Sequence, residues 1–172
     1  MKKLLIICGQ EGTGKSTLSK AILPYLNNGA AFDAENILQV NPFEFDAKFK
    51  QLAIDNTSVL INSFFRHGYE RVIAGSFIND RTDYDSFKTR LEYNPKVFIV
   101  MLIASQDVRD KRRIERSKPT TKEWRDIADT KAPKDMTLVQ TNDEYNYCEI
   151  DSSELTIKET IAGIKKKIPD FF

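Results

Sequence analysis

The chain is 172 residues long and carries 26 Lys and Arg against 25 Asp and Glu, a formal net charge of +1. That length predicts one domain, able to bury about 68–70% of its unfolded surface without a disulfide or metal staple. Hydrophobic residues at 41% and charged residues at 30% exclude a disordered chain, and near-neutrality argues against a broad nucleic-acid or membrane surface.

Lys2 and Lys3 precede Leu4–Cys8, an apolar run too short for a signal-peptide core. No stretch approaches the ~18 apolar residues of a membrane span. Lys3–Cys8 reads instead as a buried strand of a parallel sheet. A glycine-rich turn follows, then a helix from about Lys15 to Asn27, stopped by Asn28-Gly29 and bent or shortened by Pro24. A short strand over Ala30–Phe32 ends at Asp33. Phe45, Phe49, Leu52, Val59, Leu60, Phe64 and Phe65 recur at helical spacing up to Gly68.

Arg71–Phe77 predicts a second buried strand, Asp80–Tyr93 a helix, and Lys96–Ala104 the strongest strand of all. Asp107–Arg116 is a very basic helix. Thr120-Thr121-Lys122-Glu123 has capping-box spacing and starts a short helix containing Trp124. From Asp129 to Glu144 the chain is polar and aperiodic. A last strand, Tyr147–Ile150, runs into Asp151-Ser152-Ser153. The closing helix carries Thr156 and Glu159 at capping-box spacing and buries Ile157, Ile161, Ile164 and Ile168. Strands alternating with helices imply right-handed crossovers, an α/β fold and a mainly parallel sheet. Cys8 and Cys148 fall in strands as small apolar residues; they are too few for a zinc set or a disulfide framework, and a reducing cytoplasm fits.

One motif carries chemistry. Gly9-Gln10-Glu11-Gly12-Thr13-Gly14-Lys15-Ser16-Thr17 satisfies the pattern of Gly, four residues, Gly-Lys-Ser/Thr that cradles phosphates. The glycines allow backbone angles that a Cβ forbids, so that several N–H groups converge on phosphate oxygens. The helix that starts here adds its positive N-terminal end. Lys15 reaches the β- and γ-phosphates as a point charge, the Ser16 hydroxyl takes one magnesium position, and Thr17 caps or packs. A turn with an accidental lysine is the bland alternative. The position between a buried strand and an amphipathic helix favours nucleoside triphosphate binding.

With these residues the sequence resembles the small P-loop kinases, which include nucleoside monophosphate, shikimate and gluconate kinases. The resemblance covers essentially the whole chain. It implies a three-layer P-loop fold with a five-stranded sheet, helices on both faces and a small helical lid. Within a single domain spanning 1–172, residues 34–68 would cover the acceptor and 109–135 form the lid. Shikimate-type kinases carry Asp-x-Asp after the second strand, the first member near magnesium and the second on the acceptor. Here Asp33-Ala34-Glu35 stands in that place, with Glu35 keeping the charge on a longer arm.

Arg112 and Arg116 resemble the Arg-x-x-x-Arg that opens the lid, and their spacing puts them on one helix face. They would neutralise charge on the transferring phosphoryl group, whereas Arg109, Lys111 and Arg113 read as a solvated face. Asp151 and Ser152 resemble the turn against the nucleotide base, though capping the last helix explains them equally. Lys15, Asp33, Arg112 and Arg116 are thus the candidate catalytic residues, with Ser16 and Asp33 on the metal. Trp124 either packs against the lid's own base or shields the site on closure.

Two departures stand out. Val72-Ile73-Ala74-Gly75-Ser76-Phe77 lacks the strand-end aspartate that many P-loop proteins carry. Gly75 and Ser76 permit close approach by an acceptor or simply pack against a helix, and Arg81 could face the acceptor. The segment between Glu35 and Gly68 has no arginine before Arg66, which tilts the acceptor towards a neutral, hydroxyl-bearing molecule. The resemblance therefore implies ATP and Mg2+ as cofactors and a small-molecule acceptor as substrate. No membrane partner is expected, nucleic acid is disfavoured, and the chain should be a monomer or homodimer. The alternatives are a polynucleotide 5′-hydroxyl kinase, which needs a positive groove, and a non-catalytic ATP-binding regulatory module. A guanine-specific switch is excluded, because Asn142-Asp143-Glu144 is not Asn-Lys-x-Asp.

Overall fold

Five strands form one sheet in the computed structural model, which describes residues 1–116, 120–131 and 143–172. They are β1 (Lys3–Cys8), β2 (Gly29–Asp33), β3 (Arg71–Gly75), β4 (Lys96–Ile103) and β5 (Tyr145–Asp151), in the order β2-β3-β1-β4-β5. Every pairing among them is parallel. Parallel neighbours are joined only by crossing over the sheet, which is the work of the intervening helices. These are α1 (Lys15–Ile22), α2 (Ala47–Arg66), α3 (Arg81–Lys88), α4 (Gln106–Glu115), α5 (Lys122–Lys131) and α6 (Ile157–Lys167).

The two-residue period of a strand sorts the apolar runs into two cores. Leu4, Ile6 and Cys8 of β1 join Val72, Ala74, Val97 and Ile99 against Ile54, Ile61 and Phe65 of α2 and Tyr84 and Phe87 of α3. Leu5 and Ile7 point the other way, with Ile73, Phe98, Val100 and Leu102, onto Leu18 and Ile22 of α1 and Ile161 and Ile164 of α6. Burial on both faces is why β1 and β4 read as unbroken apolar segments.

Several boundaries differ from expectation for identifiable reasons. Pro24 has no N–H to continue a helix, so α1 stops at Ile22 and Leu23–Tyr25 forms a 3-10 turn. The helix expected over Asp80–Tyr93 covers only Arg81–Lys88. Asn62 of α2 takes over beyond it, donating to the Arg90 carbonyl at 2.9 Å and accepting from the Glu92 N–H at 3.0 Å. β5 starts at Tyr145, whose ring stacks edge-on to Tyr84 with centroids 5.0 Å apart.

Thr121 rather than Thr120 caps α5, its hydroxyl accepting from the Trp124 N–H at 3.2 Å. The capping box of α6 forms as expected: Thr156 accepts from the Glu159 N–H at 3.3 Å, and the Glu159 carboxylate from the Thr156 N–H at 2.8 Å. Ile161, Ile164 and Ile168 are buried, but Ile157 is exposed. Residues 132–142 of the expected aperiodic tract lie outside the described residues. Among those described, no helix is long and apolar enough to cross a membrane.

Candidate active site

β1 ends at the centre of the sheet, between β3 and β4. Side chains leave no room there. A Cβ on Gly9 would stand 2.2 Å from the Leu102 carbonyl oxygen, and one on Gly12 would stand 2.8 Å from the Arg109 carbonyl oxygen. Gly14, the N-cap of α1, meets no such crowding but holds φ at 101°, a left-handed value that side chains disfavour. The loop is braced on one carbonyl: Gln10 accepts from the Thr13 hydroxyl at 2.8 Å and from the Lys15 ammonium at 3.1 Å.

Beside the loop lies a cleft of about 500 Å³. Glu11 to Leu18 line it, with Glu35, Leu102, Arg112, Arg113, Glu115, Arg116, Ser152, Leu155, Ile157 and Thr160. Two sides of the cleft carry charge. On one, the Ser16 hydroxyl donates to the carboxylate of Asp33, a buried residue that does not itself line the cleft and whose other oxygen accepts from the Glu35 N–H at 3.1 Å. Crowding by protein atoms raises the Glu35 carboxyl above its usual range; Lys15 opposes that, and Asp33 and Glu11 add to it. On the other, Arg112 donates to the Thr13 carbonyl at 3.1 Å, the Ser152 hydroxyl at 3.0 Å and the Ser152 carbonyl at 2.7 Å. Arg116 donates to the Glu11 carboxylate at 2.8 Å.

These oxygens suit magnesium. Ser16 and Asp33 offer hard oxygen donors beside the loop, the ligand type that magnesium takes together with waters and substrate phosphates. The loop amides and the N-terminus of α1 likewise fit phosphate.

No protein-family model matches the chain, and no curated protein matches it. Solved structures do. An unliganded sugar kinase from Janibacter sp. HTCC2649 superimposes with a TM-score of 0.72 at 12% identity, over 98% of this chain and 95% of that one. A gluconokinase from Sinorhizobium meliloti 1021 gives 0.70 at 11%, over 98% and 92%. The Mycobacterium tuberculosis APS kinase, solved in complex with AMPPNP and APS, gives 0.66 at 12%, over 98% of both chains. This is the fold of the small P-loop kinases.

Seen on the P-loop kinase frame, the remaining residues fall into place unevenly. Arg109 and Arg113, expected to face water, are 4% and 0% exposed. Both pair with Asp129 of α5, at 2.7 and 2.6 Å, and Arg113 also grips the P-loop. Hydrogen bonds from Arg113, Arg109 and Gln106 hold the Asp129 carboxyl far below the usual range against the burial that opposes them. Sequence spacing could not reveal a partner on a separate helix. Asp151 accepts from the Ser153 N–H at 2.9 Å and the Ser153 hydroxyl at 2.6 Å, and does not line the cleft; α6 is capped by Thr156 instead.

On the side of α2 and α3, Gly75 pairs with Asp33 across the sheet, and Ser76 takes a positive φ of 67° with its hydroxyl oxygen buried and without a partner among the described residues. Neither residue lines the cleft. Arg81 is tied to Asp85 at 2.8 Å and to Glu144, also outside the lining. Trp124 packs on Phe43, centroids 6.0 Å apart, linking α5 to the segment that precedes α2. His67 ends α2, its ring nitrogen 2.8 Å from the Ser63 carbonyl. Leu102, Leu155 and Ile157, none of them an expected site residue, supply an apolar stretch of the lining. The thiols of Cys8 and Cys148 are buried; burial pushes them up to about 12 and about 11, so both stay protonated and inert.

Proposed function

We propose that the protein is a magnesium- and ATP-dependent kinase that transfers the γ-phosphoryl group to a small, hydroxyl-bearing acceptor. One observation carries this reading: Lys15 and Ser16 of the P-loop share a single cleft with Arg112 and Arg116, and the Ser16 hydroxyl donates to Asp33 behind that lining. The structural neighbour holding AMPPNP and APS supports a nucleotide and an acceptor in one such fold.

The geometry supports phosphate binding. Lys15 exchanges the Gln10 carbonyl for β- and γ-oxygens, and Arg116 exchanges the Glu11 carboxylate for the moving phosphoryl group. Arg112 holds the Ser152 turn against the loop and adds positive charge beside the phosphates. When bound, magnesium held through Ser16, with Asp33 in its outer shell, neutralises phosphate charge. The acceptor oxygen forms a bond to the γ-phosphorus as the bond to the β-bridging oxygen breaks, releasing ADP. Asp33 orients the acceptor hydroxyl and takes its proton, with Glu35 beside it. Residues 34–68 cover the acceptor, and α4 and α5 contribute the lid. The one arginine of that cover, Arg66, is paired with Glu92 at 2.8 Å, which favours an acceptor without a phosphate of its own.

The test is ADP release from ATP in a panel of sugars, sugar acids, nucleosides and nucleotides. Acceleration by one acceptor class, lost in Lys15→Ala, is the expected result. ATP binding with no transfer to any of them, or a Lys15→Ala variant at full turnover, overturns the reading.

A further inference from the structure

Among the described residues, the largest fully buried side chain is an arginine, Arg113 of α4. A buried guanidinium must satisfy its donors, and apolar residues of similar volume often stabilise a core equally well. The identity of its partners is therefore informative. Two of its nitrogens, Nε at 3.1 Å and Nη2 at 2.9 Å, converge on one oxygen, the main-chain carbonyl of Glu11 in the P-loop. Its remaining donors go to Asp129 of α5, at 2.6 and 3.1 Å, and to Asp110 at 3.2 Å.

That grip has a consequence for the phosphate cradle. The Glu11–Gly12 peptide is trans, so the N–H of Gly12 points opposite to the Glu11 carbonyl. Fixing the Glu11 carbonyl on Arg113 therefore fixes the direction of the Gly12 N–H as well, and Gly12 forms part of the cleft lining. Gly12 itself cannot carry a side chain, because Arg109 of the same helix lies against it. Asp129 then balances the two buried arginines from α5, at 2.7 Å from Arg109.

Resting on the kinase reading above, we infer that Arg113 is a positioning residue of the nucleotide site: it sets the orientation of the Glu11–Gly12 peptide for phosphate binding, with Asp129 as its anchor. It touches no phosphate. The lid-side helix α5 is by this route part of the support of the P-loop.

The experiment is a titration of the full chain with ATP and, separately, with adenosine, alongside thermal melts. Arg113→Lys keeps the charge and loses the two-nitrogen hold on the carbonyl. It should weaken ATP by about tenfold and leave adenosine unchanged, because adenosine has no phosphate to misplace. Asp129→Asn should do the same to a smaller extent, about threefold. A purely structural role gives another pattern: a lower melting temperature with ATP and adenosine weakened equally, or with neither affected. Either pattern overturns the proposal. If Arg113→Lys fails to fold, Asp129→Asn decides, and unchanged ATP affinity there overturns it. Wild-type protein that binds no ATP removes the kinase reading itself and this proposal with it; wild-type protein that binds ATP without transferring leaves the titration as decisive as before.

Discussion

Where the cleft meets the P-loop, the Gln10, Glu11 and Thr13 carbonyls accept from Lys15, Arg113 and Arg112, beside the side-chain pairs Arg116–Glu11 and Ser16–Asp33, and glycines make the room. Towards α2 and α3 the contacts join side chains to one another, Arg81 to Asp85 and Glu144, Arg66 to Glu92, Phe43 to Trp124. A main-chain cradle recognises what all nucleoside triphosphates share, their phosphates, and is complete in advance. Side-chain pairs can be exchanged one at a time without disturbing the backbone. On the proposed kinase reading, the first region suits a common donor and the second would tell one acceptor from another.

Perturbing the donor end should give the largest effects. Lys15→Ala should lower phosphoryl transfer by about 10²–10³-fold with little change in melting temperature, which turnover assays and thermal melts together would show. Gly9→Ala should act through the fold: the added methyl meets the Leu102 carbonyl at 2.2 Å, and chemical denaturation should report a loss of roughly 2–4 kcal/mol. A Gly9→Ala protein as stable as wild type would mean that the cradle is softer than its packing implies.

Acceptor-end changes should be milder and selective. Phe43→Ala removes the ring contacts to Trp124 and Phe49. At about 0.5–1.5 kcal/mol for aromatic pairs, the KM for acceptor should rise by roughly 2- to 10-fold while the KM for ATP stays constant. Equal shifts in both would erase the distinction between the ends. The smallest effect concerns pH. Because the folded protein raises the Glu35 carboxyl above 4.5, the native state binds that proton more tightly than the unfolded chain does. Stability is then lost as pH rises from 4.5 through the folded value. Glu35→Gln should melt higher than wild type at neutral pH and converge with it below pH 4.5, in melts across a pH series.

The same division explains what could be read from the sequence. The nine residues Gly9 to Thr17 announce the donor site because backbone geometry leaves one pattern of residue types that fits it. The strands were legible because burial on both faces demands apolar runs such as Leu4–Cys8 and Val97–Ile103. Arg109 and Arg113 looked like a wet basic face, since helical spacing says nothing of Asp129 arriving from another helix. The early end of α3 was equally hidden, because the side chain that replaces its next turn, Asn62, lies in α2.

The strand order also bears on how this protein is born. β1, which leads into the P-loop, is made well before either of its partners: Lys3 pairs with Arg71 on one side and Lys96 on the other. At elongation rates of about 5–20 residues per second, the first of these partners is made roughly 3–14 s later. For that interval an apolar strand, Leu4 to Cys8, has both edges open on the nascent chain. Expression at lowered temperature or with added holdase should therefore raise the soluble yield.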